Sequence, residues 1–381
     1  MDFDLNEEQK MVVDGAKKFA EKELAPGMEE RDEKGEFNLE AFKKLGELGY
    51  LGMTVPEAYG GADLGAIAYV GALMEFSKAD NGLTVAVSVQ NSLVNDALMM
   101  YGTEDQKKAY LPKLTSGEWV GCFSLTEADA GSDPAGVRAT AVRDGDEFVL
   151  NGAKTFVSNG GYADLVIGFF STDKEKGARG ISAILVPKGT PGFTVGKHEN
   201  KMGIRTSSTT ELIFTDCRVP AANLLGQENK GLSIALATLD SGRIGIAAQA
   251  VGIAEAALEE SVRYSKERVQ FGKPICELQA VQFMLADMAT EVEVAKSMLY
   301  RVAWMKDKRD RKFTAEAAMI KLFSSEMSHR VCHKALQVHG GYGYMKEYKV
   351  ERLYRDQRIT EIYEGTSEIQ RLVIARSVLT K

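Results

Sequence analysis

Hydrophobic and polar positions follow three successive patterns along the chain. From residue 6 to about 117 apolar residues recur at helical spacing, as in Met11, Val12, Ala16, Phe19 and Ala20 behind a cap at Asn6. Breaks fall at Pro26, at Gly49 and around 56–65. Two richer apolar stretches, 66–79 and 83–101, predict buried helices, and Thr103 opens another helix with charges on its outer face. Between 119 and 219 the pattern becomes short β-rich runs such as WVGCFSL, EFVLNG, LVIGFF and ISAILV, separated by turns such as DGD and GTPG. No helical pattern intervenes, so the runs predict an antiparallel sheet or barrel and not a βαβ unit. After Gly231 the helical period returns over 232–268, 278–308 and 315–338, with a last helix from Ser367, which predicts a bundle. The expected fold is mainly α with a β domain: an N-terminal helical domain over 1–118, a middle β domain over 119–228 and a C-terminal four-helix bundle over 229–381.

Composition narrows the function classes. At 381 residues the chain exceeds one ordinary core, which fits several packed subdomains. A net charge of -7 gives no electrostatic footprint for nucleic acid. Cys122, Cys217, Cys276 and Cys332 form no C-x-x-C pair, so neither a zinc ribbon nor a disulfide framework is indicated, and a reducing compartment fits. The opening MDFDLNEEQK lacks an apolar or Arg-rich leader, and no apolar run is long enough to span a bilayer, so the expectation is a cytoplasmic protein without membrane contact.

Several common chemistries leave no trace. There is no G-x-G-x-x-G after a strand, no Walker A (NGAKT has the lysine in the wrong place) and no G-x-S-x-G elbow. His329 and His333 flank Cys332 at helical spacing, but no carboxylate third ligand follows in a recognised pattern, so the pair reads as structural and no metal is expected.

The stretch RDQRITEIYEGTSEIQR, residues 355–371, is more informative. Glu364 stands between Tyr363 and Gly365, and Ser367 and Gln370 follow in the S-x-x-Q order of a capping box. A carboxylate offered from a turn into a helix suits a general base, although an acidic residue there can equally serve the helix N-terminus alone. Four further stretches are polar or glycine-rich. FSLTEADAGSD carries Thr126, Gly131 and Ser132 from a strand into a loop; KTFVSNGG places Phe156 and Ser158 on one side of a strand; RVQFGKPICELQ holds Arg268, Phe271 and Gln279; and QVHGGYGY ends a helix with Gly340 and Gly341. Each alone has a structural explanation.

Together, LTEADAGSD, KMGIR, LDSGRIGIAAQA, RVQFG, QVHGGYGY and IYEGTSEIQR resemble, in order and spacing, the acyl-CoA dehydrogenases, and most closely their short-chain, butyryl-CoA type. The resemblance implies an FAD-dependent oxidation of a short acyl-CoA to its trans-2-enoyl product, with electrons passed to an electron-transfer flavoprotein. FAD would lie between the β domain and the bundle, held by Phe123, Leu125, Thr126 and Ser132, with Phe156, Val157 and Ser158 lining its ring. Arg268, Phe271 and Gln279, with Gln337, Val338, Gly340 and Gly341, would hold the FAD of a neighbouring subunit in a homotetramer, and Thr366 and Glu368 its phosphate and adenosine side. Ser132, Asp240, Arg243 and Gly365 would touch the acyl-CoA.

Glu364 would then abstract the α-proton, its backbone N–H and a flavin ribityl hydroxyl would stabilise the thioester oxygen, and the β-hydride would leave to flavin N5. Some relatives carry the base near the LDSGR motif, where this chain has Gly242. Phe156 stands where many relatives have Trp, and Ser158 where Thr is common. The polar Gln90, Asn91, Asn95 and Asp96 border the expected acyl end; facing the pocket they would favour a cyclic or polar acyl group of alicyclic or glutaryl type, and facing solvent they would leave specificity untouched. A flavin oxidase or a non-catalytic binding protein on the same fold are the remaining alternatives.

Overall fold

The computed structural model describes residues 4–308 and 312–380. The first helix, Glu7–Phe19 (α1), starts where the sequence predicts. Asn6 accepts the Gln9 N–H at 2.8 Å and Gln9 accepts the Asn6 N–H at 3.0 Å, a reciprocal capping box. Met28–Lys34 (α2), Leu39–Glu47 (α3) and Gly65–Ser77 (α4) follow, and Glu104–Thr115 (α7) begins with a second capping box at Thr103. The apolar stretch 83–101 forms one rod in three parts: Asn81–Ser88 (α5), a π-helical turn Val89–Asn95, and Asp96–Tyr101 (α6). A π turn widens the helix and changes which side chains share a face, a departure that helical periodicity does not encode.

The middle region is a sheet of Gly121–Ser124 (β1), Thr140–Asp144 (β2), Glu147–Ser158 (β3), Leu165–Ser171 (β4), Ile181–Pro187 (β5), Phe193–His198 (β6), Thr209–Pro220 (β7) and Leu224–Leu225 (β8). Its order is β6-β7-β3-β2-β4-β5-β8, with β1 against β4. The sheet is mixed and not wholly antiparallel as expected: β1 pairs parallel with β4, and β2 meets β4 through one parallel pair, Thr140 with Ser171. The chain leaves β1, makes the β2–β3 hairpin and returns to the starting end before β4, so β1 and β4 run the same way. Strand alternation sorts β4 between two cores. Leu165, Ile167 and Phe169 face the helices, whereas Val166 and Phe170 join Phe148, Leu150 and Phe214 on the far side. Burial on both faces accounts for the unbroken apolar run LVIGFF.

The C-terminal helices are Gly231–Glu267 (α8), Gln279–Asp307 (α9), Thr314–His339 (α10), Lys349–Gln357 (α11) and Ser367–Leu379 (α12). All but α11 match the predicted stretches to within a residue or so. The sequence reading missed α11 because KVERLYRDQ is short and mostly charged, although Val350, Leu353 and Tyr354 keep helical spacing; it buries Arg352, Asp356 and Gln357 beside Val350 and Leu353. Asp356 accepts the Ile204 N–H at 2.6 Å and Asn81 Nδ2 at 3.0 Å, so this polar helix ties all three regions together. One continuous core joins Ala16, Tyr69 and Leu73 to Ile244, Val251, Leu299 and Ile320. The N-terminal helices therefore pack directly on the bundle, and the sheet closes the remaining side where Ile167 and Ile181 share a core with Ile234 of α8. No described helix is long and apolar enough to cross a membrane.

Candidate active site

Where sheet, rod and bundle meet there is a cavity of about 520 Å³. Its sheet wall comes from the β1 end and the following loop, with Phe123, Leu125, Thr126 and Ser132, and from Thr155, Phe156, Val157 and Ser158 of β3. The rod contributes Val85, Ser88, Val89 and Leu93, and α8 contributes Leu239, Arg243 and Ile246. Tyr363, Glu364 and Gly365 close it.

The loop after β1 owes its place to a buried ion pair. Lys154, fully buried on β3, donates to Glu127 Oε1 at 2.7 Å and to the Leu125 carbonyl at 3.3 Å. Glu127 also accepts the Arg138 and Ala139 N–H groups at 2.7 and 3.1 Å, and the Thr155 N–H donates to the Thr126 carbonyl at 2.9 Å. Desolvation pushes the Lys154 ammonium down to about 8, against the pull of Glu127. Immediately beyond, the β3–β7 register slips between Lys154 and Val157, a bulge at which Phe156 takes a left-handed φ of 55°. Simple alternation would share only Phe156 and Ser158; the bulge brings Thr155 to Ser158 together to the cavity. Phe156 is 65% exposed, so its ring forms part of the cavity wall and not of the core.

Glu364 and Gly365 adopt consecutive left-handed conformations, φ 53° and 94°. The Glu364 Oε2 atom is buried without a hydrogen-bond partner. Burial pushes this carboxyl up to about 7, resisted by the positive charges of Lys321 and Arg243. Arg243 is held by Asp240 at 2.7 Å, and Asp240 accepts from Thr314 at 2.6 Å. The Tyr363 hydroxyl donates to Gln249. The capping box at Ser367 does not form. Thr366 is the cap, its hydroxyl accepting the Ile369 N–H at 3.4 Å, and Ser367 is the first helical residue. Gln370 instead donates to the Glu364 and Gly365 carbonyls at 3.1 and 2.8 Å, because the two left-handed residues turn those carbonyls toward it.

Gly242 faces this carboxylate. A Cβ there would overlap Glu364 Oε2 and come within 2.8 Å of Glu364 Cδ and of Leu93 Cδ2. Positions 242 and 364 thus share one space, and a side chain at one displaces the other. Gly242→Ala is expected to lower turnover at least about tenfold through misplacement of the carboxylate, while the melting temperature shifts by a few degrees only; steady-state kinetics beside a thermal melt checks this.

Gln90, Asn91, Asn95 and Asp96 of the rod face neither the cavity nor solvent. Gln90 donates to the Leu114 and Trp119 carbonyls at 2.8 and 2.9 Å and accepts the Gly121 N–H at 2.7 Å. Asn91 bonds the Met53 N–H and the Tyr50 carbonyl, Asn95 the Leu51 carbonyl, and Asp96 pairs with Lys306 at 2.6 Å. The three amides satisfy backbone groups of neighbouring segments, and the cavity face is left to Val85, Ser88, Val89 and Leu93.

The other predicted residues lie elsewhere. Arg268, Val338, Gly340 and Gly341 line a second concavity with His339 and Tyr342. Gly340 ends α10 with φ 59°, the C-cap predicted for it. Phe271, 91% exposed, projects from the short hairpin of Val269–Gln270 (β9) and Lys273–Pro274 (β10), while Gln279, Gln337 and Glu368 are exposed on the starts and ends of helices. Asp240 reaches the cavity only through Arg243, and Thr366 only through its cap. His329 bonds Gln357 at 3.0 Å, and no cluster able to hold a metal occurs among the described residues. The sequence reading missed Lys321, although a lone lysine inside the apolar run AAMIKLF is itself a signal, as well as Arg355 and Arg358 at the cavity's polar end.

Family models described as the acyl-CoA dehydrogenase N-terminal, middle and C-terminal domains match residues 6–118, 122–217 and 229–379. The acryloyl-CoA reductase (NADH) of Anaerotignum propionicum is 50% identical over 383 residues, spanning 100% of this chain and 97% of that protein. The structure of butyryl-CoA dehydrogenase from Megasphaera elsdenii superposes with a TM-score of 0.98 at 46% identity over 100% of both chains. A chain solved in work on the electron transferring flavoprotein of Acidaminococcus fermentans and flavin-based electron bifurcation superposes with a TM-score of 0.99 at 48% identity, again over 100% of both. With all three domain models matched in order and full-length relatives near half identity, the chain belongs to the acyl-CoA dehydrogenase family.

Proposed function

We propose that the protein oxidises a short, straight-chain acyl-CoA at its α and β carbons, with Glu364 as the base. The observation that carries this reading is a buried carboxylate oxygen without a partner, in the same cavity as an exposed aromatic ring and two hydroxyls, Thr126 and Ser158. That donor set fits the isoalloxazine of FAD: Phe156 offers a flat apolar face, Thr126 and Ser158 polar groups for its heteroatoms, and Ser132 a further hydroxyl at the loop. When bound, FAD supplies the acceptor for the β-hydride.

The chain's own contribution is proton transfer and positioning. An α C–H beside a thioester is a weak acid, so its removal needs a base placed in contact and a donor for the developing enolate oxygen. Glu364 provides the carboxylate and its backbone N–H the donor. Held near 7, the carboxyl is a stronger base than an exposed glutamate and is still substantially ionised at neutral pH. The wall offered to the acyl chain by Val85, Val89, Leu93, Leu239 and Ile246 is apolar. The cation beside this wall, Arg243, is already paired with Asp240 at 2.7 Å and so is not free for a second carboxylate, which favours a butyryl-type substrate over a glutaryl one.

The second concavity, with Arg268 and the Val338–Gly341 turn, would hold part of a neighbouring copy's FAD in a homotetramer; a guanidinium at its edge supports that reading. An electron-transferring flavoprotein as electron acceptor is supported by the Acidaminococcus match, and the Anaerotignum relative makes reduction of a short enoyl-CoA the reading for reverse flux. Anaerobic titration of the FAD-loaded protein tests the assignment. Butyryl-CoA is expected to bleach the visible flavin band, with glutaryl-CoA and alicyclic acyl-CoAs far less effective; bleaching by glutaryl-CoA alone would refute the substrate class. Fast peroxide release on reoxidation would identify an oxidase instead.

A further inference from the structure

Two lysines are fully buried among the described residues, Lys154 and Lys321. Lys154 has a carboxylate at 2.7 Å, whereas the partner of Lys321 is a carbonyl: its Nζ donates to Gly365 O at 2.7 Å. The same oxygen accepts Gln370 Nε2 at 2.8 Å, and that amide also donates to the Glu364 carbonyl at 3.1 Å. Gln370 is fully buried as well. Two buried donors, from α10 and α12, therefore converge on the peptide that follows Glu364. That peptide carries the consecutive φ values of 53° and 94°, the first at a residue type that rarely adopts them. A side chain at 365 would come within 2.7 Å of Gln370 Nε2, so glycine is needed for the approach as well as for its φ.

We propose that Lys321 and Gln370 are positioning residues for the dehydrogenation: they clamp the Glu364–Gly365 backbone in its left-handed turn and thereby aim the Glu364 carboxylate into the cavity, Lys321 also placing its ammonium behind it. The inference rests on the reading of Glu364 as the base. An unclamped turn could relax toward ordinary φ values and swing the carboxylate away from the substrate. The ionisable groups acting on Glu364 come from several elements: Lys321 of α10 and Arg243 of α8, with the Tyr69 and Tyr363 phenols also coupled to it. Glu361 and Glu368 act on Lys321 in turn. Removal of Lys321 leaves Arg243 as the cation nearest in effect.

The test uses the FAD-loaded full chain with butyryl-CoA. Lys321→Met is expected to lower kcat about a hundredfold with KM changed less than about threefold, and to raise the apparent pKa of the kcat profile by about one unit. Gln370→Leu, which removes a donor and no charge, is expected to lower kcat about tenfold without moving that pKa. A packing role alone would lower stability and leave the pH profile in place. Wild-type kcat and pH profile in Lys321→Met, with Glu364→Gln inactive, would overturn the clamp and spare the base; full activity in Glu364→Gln overturns the base and the clamp with it. Should Lys321→Met fail to fold, wild-type kcat in Gln370→Leu is the refuting result.

Discussion

Glu364→Gln is expected to fold, take up FAD and bind acyl-CoA, yet to lose turnover by about 10³ to 10⁴-fold, the range for loss of a positioned general base. Its residual rate should lack the rising limb near pH 7 that protonation of Glu364 imposes on the wild type. Stability should move in the opposite sense. In the folded protein the carboxyl is raised from 4.5 to about 7, so folding takes up a proton in that window. The folded state consequently loses stability as pH rises from about 4.5 to about 7, a loss of up to roughly 3 kcal/mol. Glutamine carries no such proton. The variant should therefore gain on the wild type in denaturant melts at pH 8 relative to pH 5, and equal melting differences at the two pH values would show that the carboxyl is not held in a desolvated place. An enzyme weakened by its own base is the expected trade between activity and stability.

Lys154→Met is the second large effect. It removes the counter-charge of Glu127 and leaves that carboxylate buried with the Arg138 and Ala139 N–H groups as its remaining donors. Removal of one member of a buried pair costs about 3 to 5 kcal/mol. The cost should concentrate in the loop carrying Leu125, Thr126 and Ser132, so flavin retention is expected to fall together with the melting temperature. The double variant with Glu127→Gln should recover part of the loss, because the uncompensated charge disappears. Strict additivity of the two single changes would show that the pair is not coupled. Flavin content after gel filtration, read beside thermal melts of all three variants, checks both statements.

These two positions differ in how far the sequence announced them. Glu364 stands out in its turn, beside a glycine, but its reading as the base comes only with the family resemblance; LTEADAGSD, KMGIR, LDSGR and IYEG meet at one cavity, whereas RVQFG and QVHGGYGY lie at the second concavity. The long helices were legible because α8, α9 and α10 repeat apolar positions over many turns, and the caps at Asn6 and Thr103 are local. What stayed hidden depends on partners distant along the chain. Gln90 and Asn91 bond groups about thirty or forty residues away, which no window of periodicity contains. The cap at Thr366, one residue before the predicted Ser367, follows the left-handed turn at 364–365, whose Gly365 carbonyl accepts from Lys321, forty-four residues upstream. The parallel pairing of β1 with β4 likewise depends on where the hairpin delivers the chain.

The π-helical turn has an evolutionary consequence. Its amide side chains fasten the rod to flanking backbone, whereas Val85, Val89 and Leu93 bear no such duty and, with Leu239 and Ile246 of α8, form the apolar wall of the cavity. Preference for a chain length can thus drift by exchange of a few hydrocarbon side chains while the scaffold holding them stays untouched. New selectivity on this architecture is a matter of trimming or filling a slot, reachable one mutation at a time.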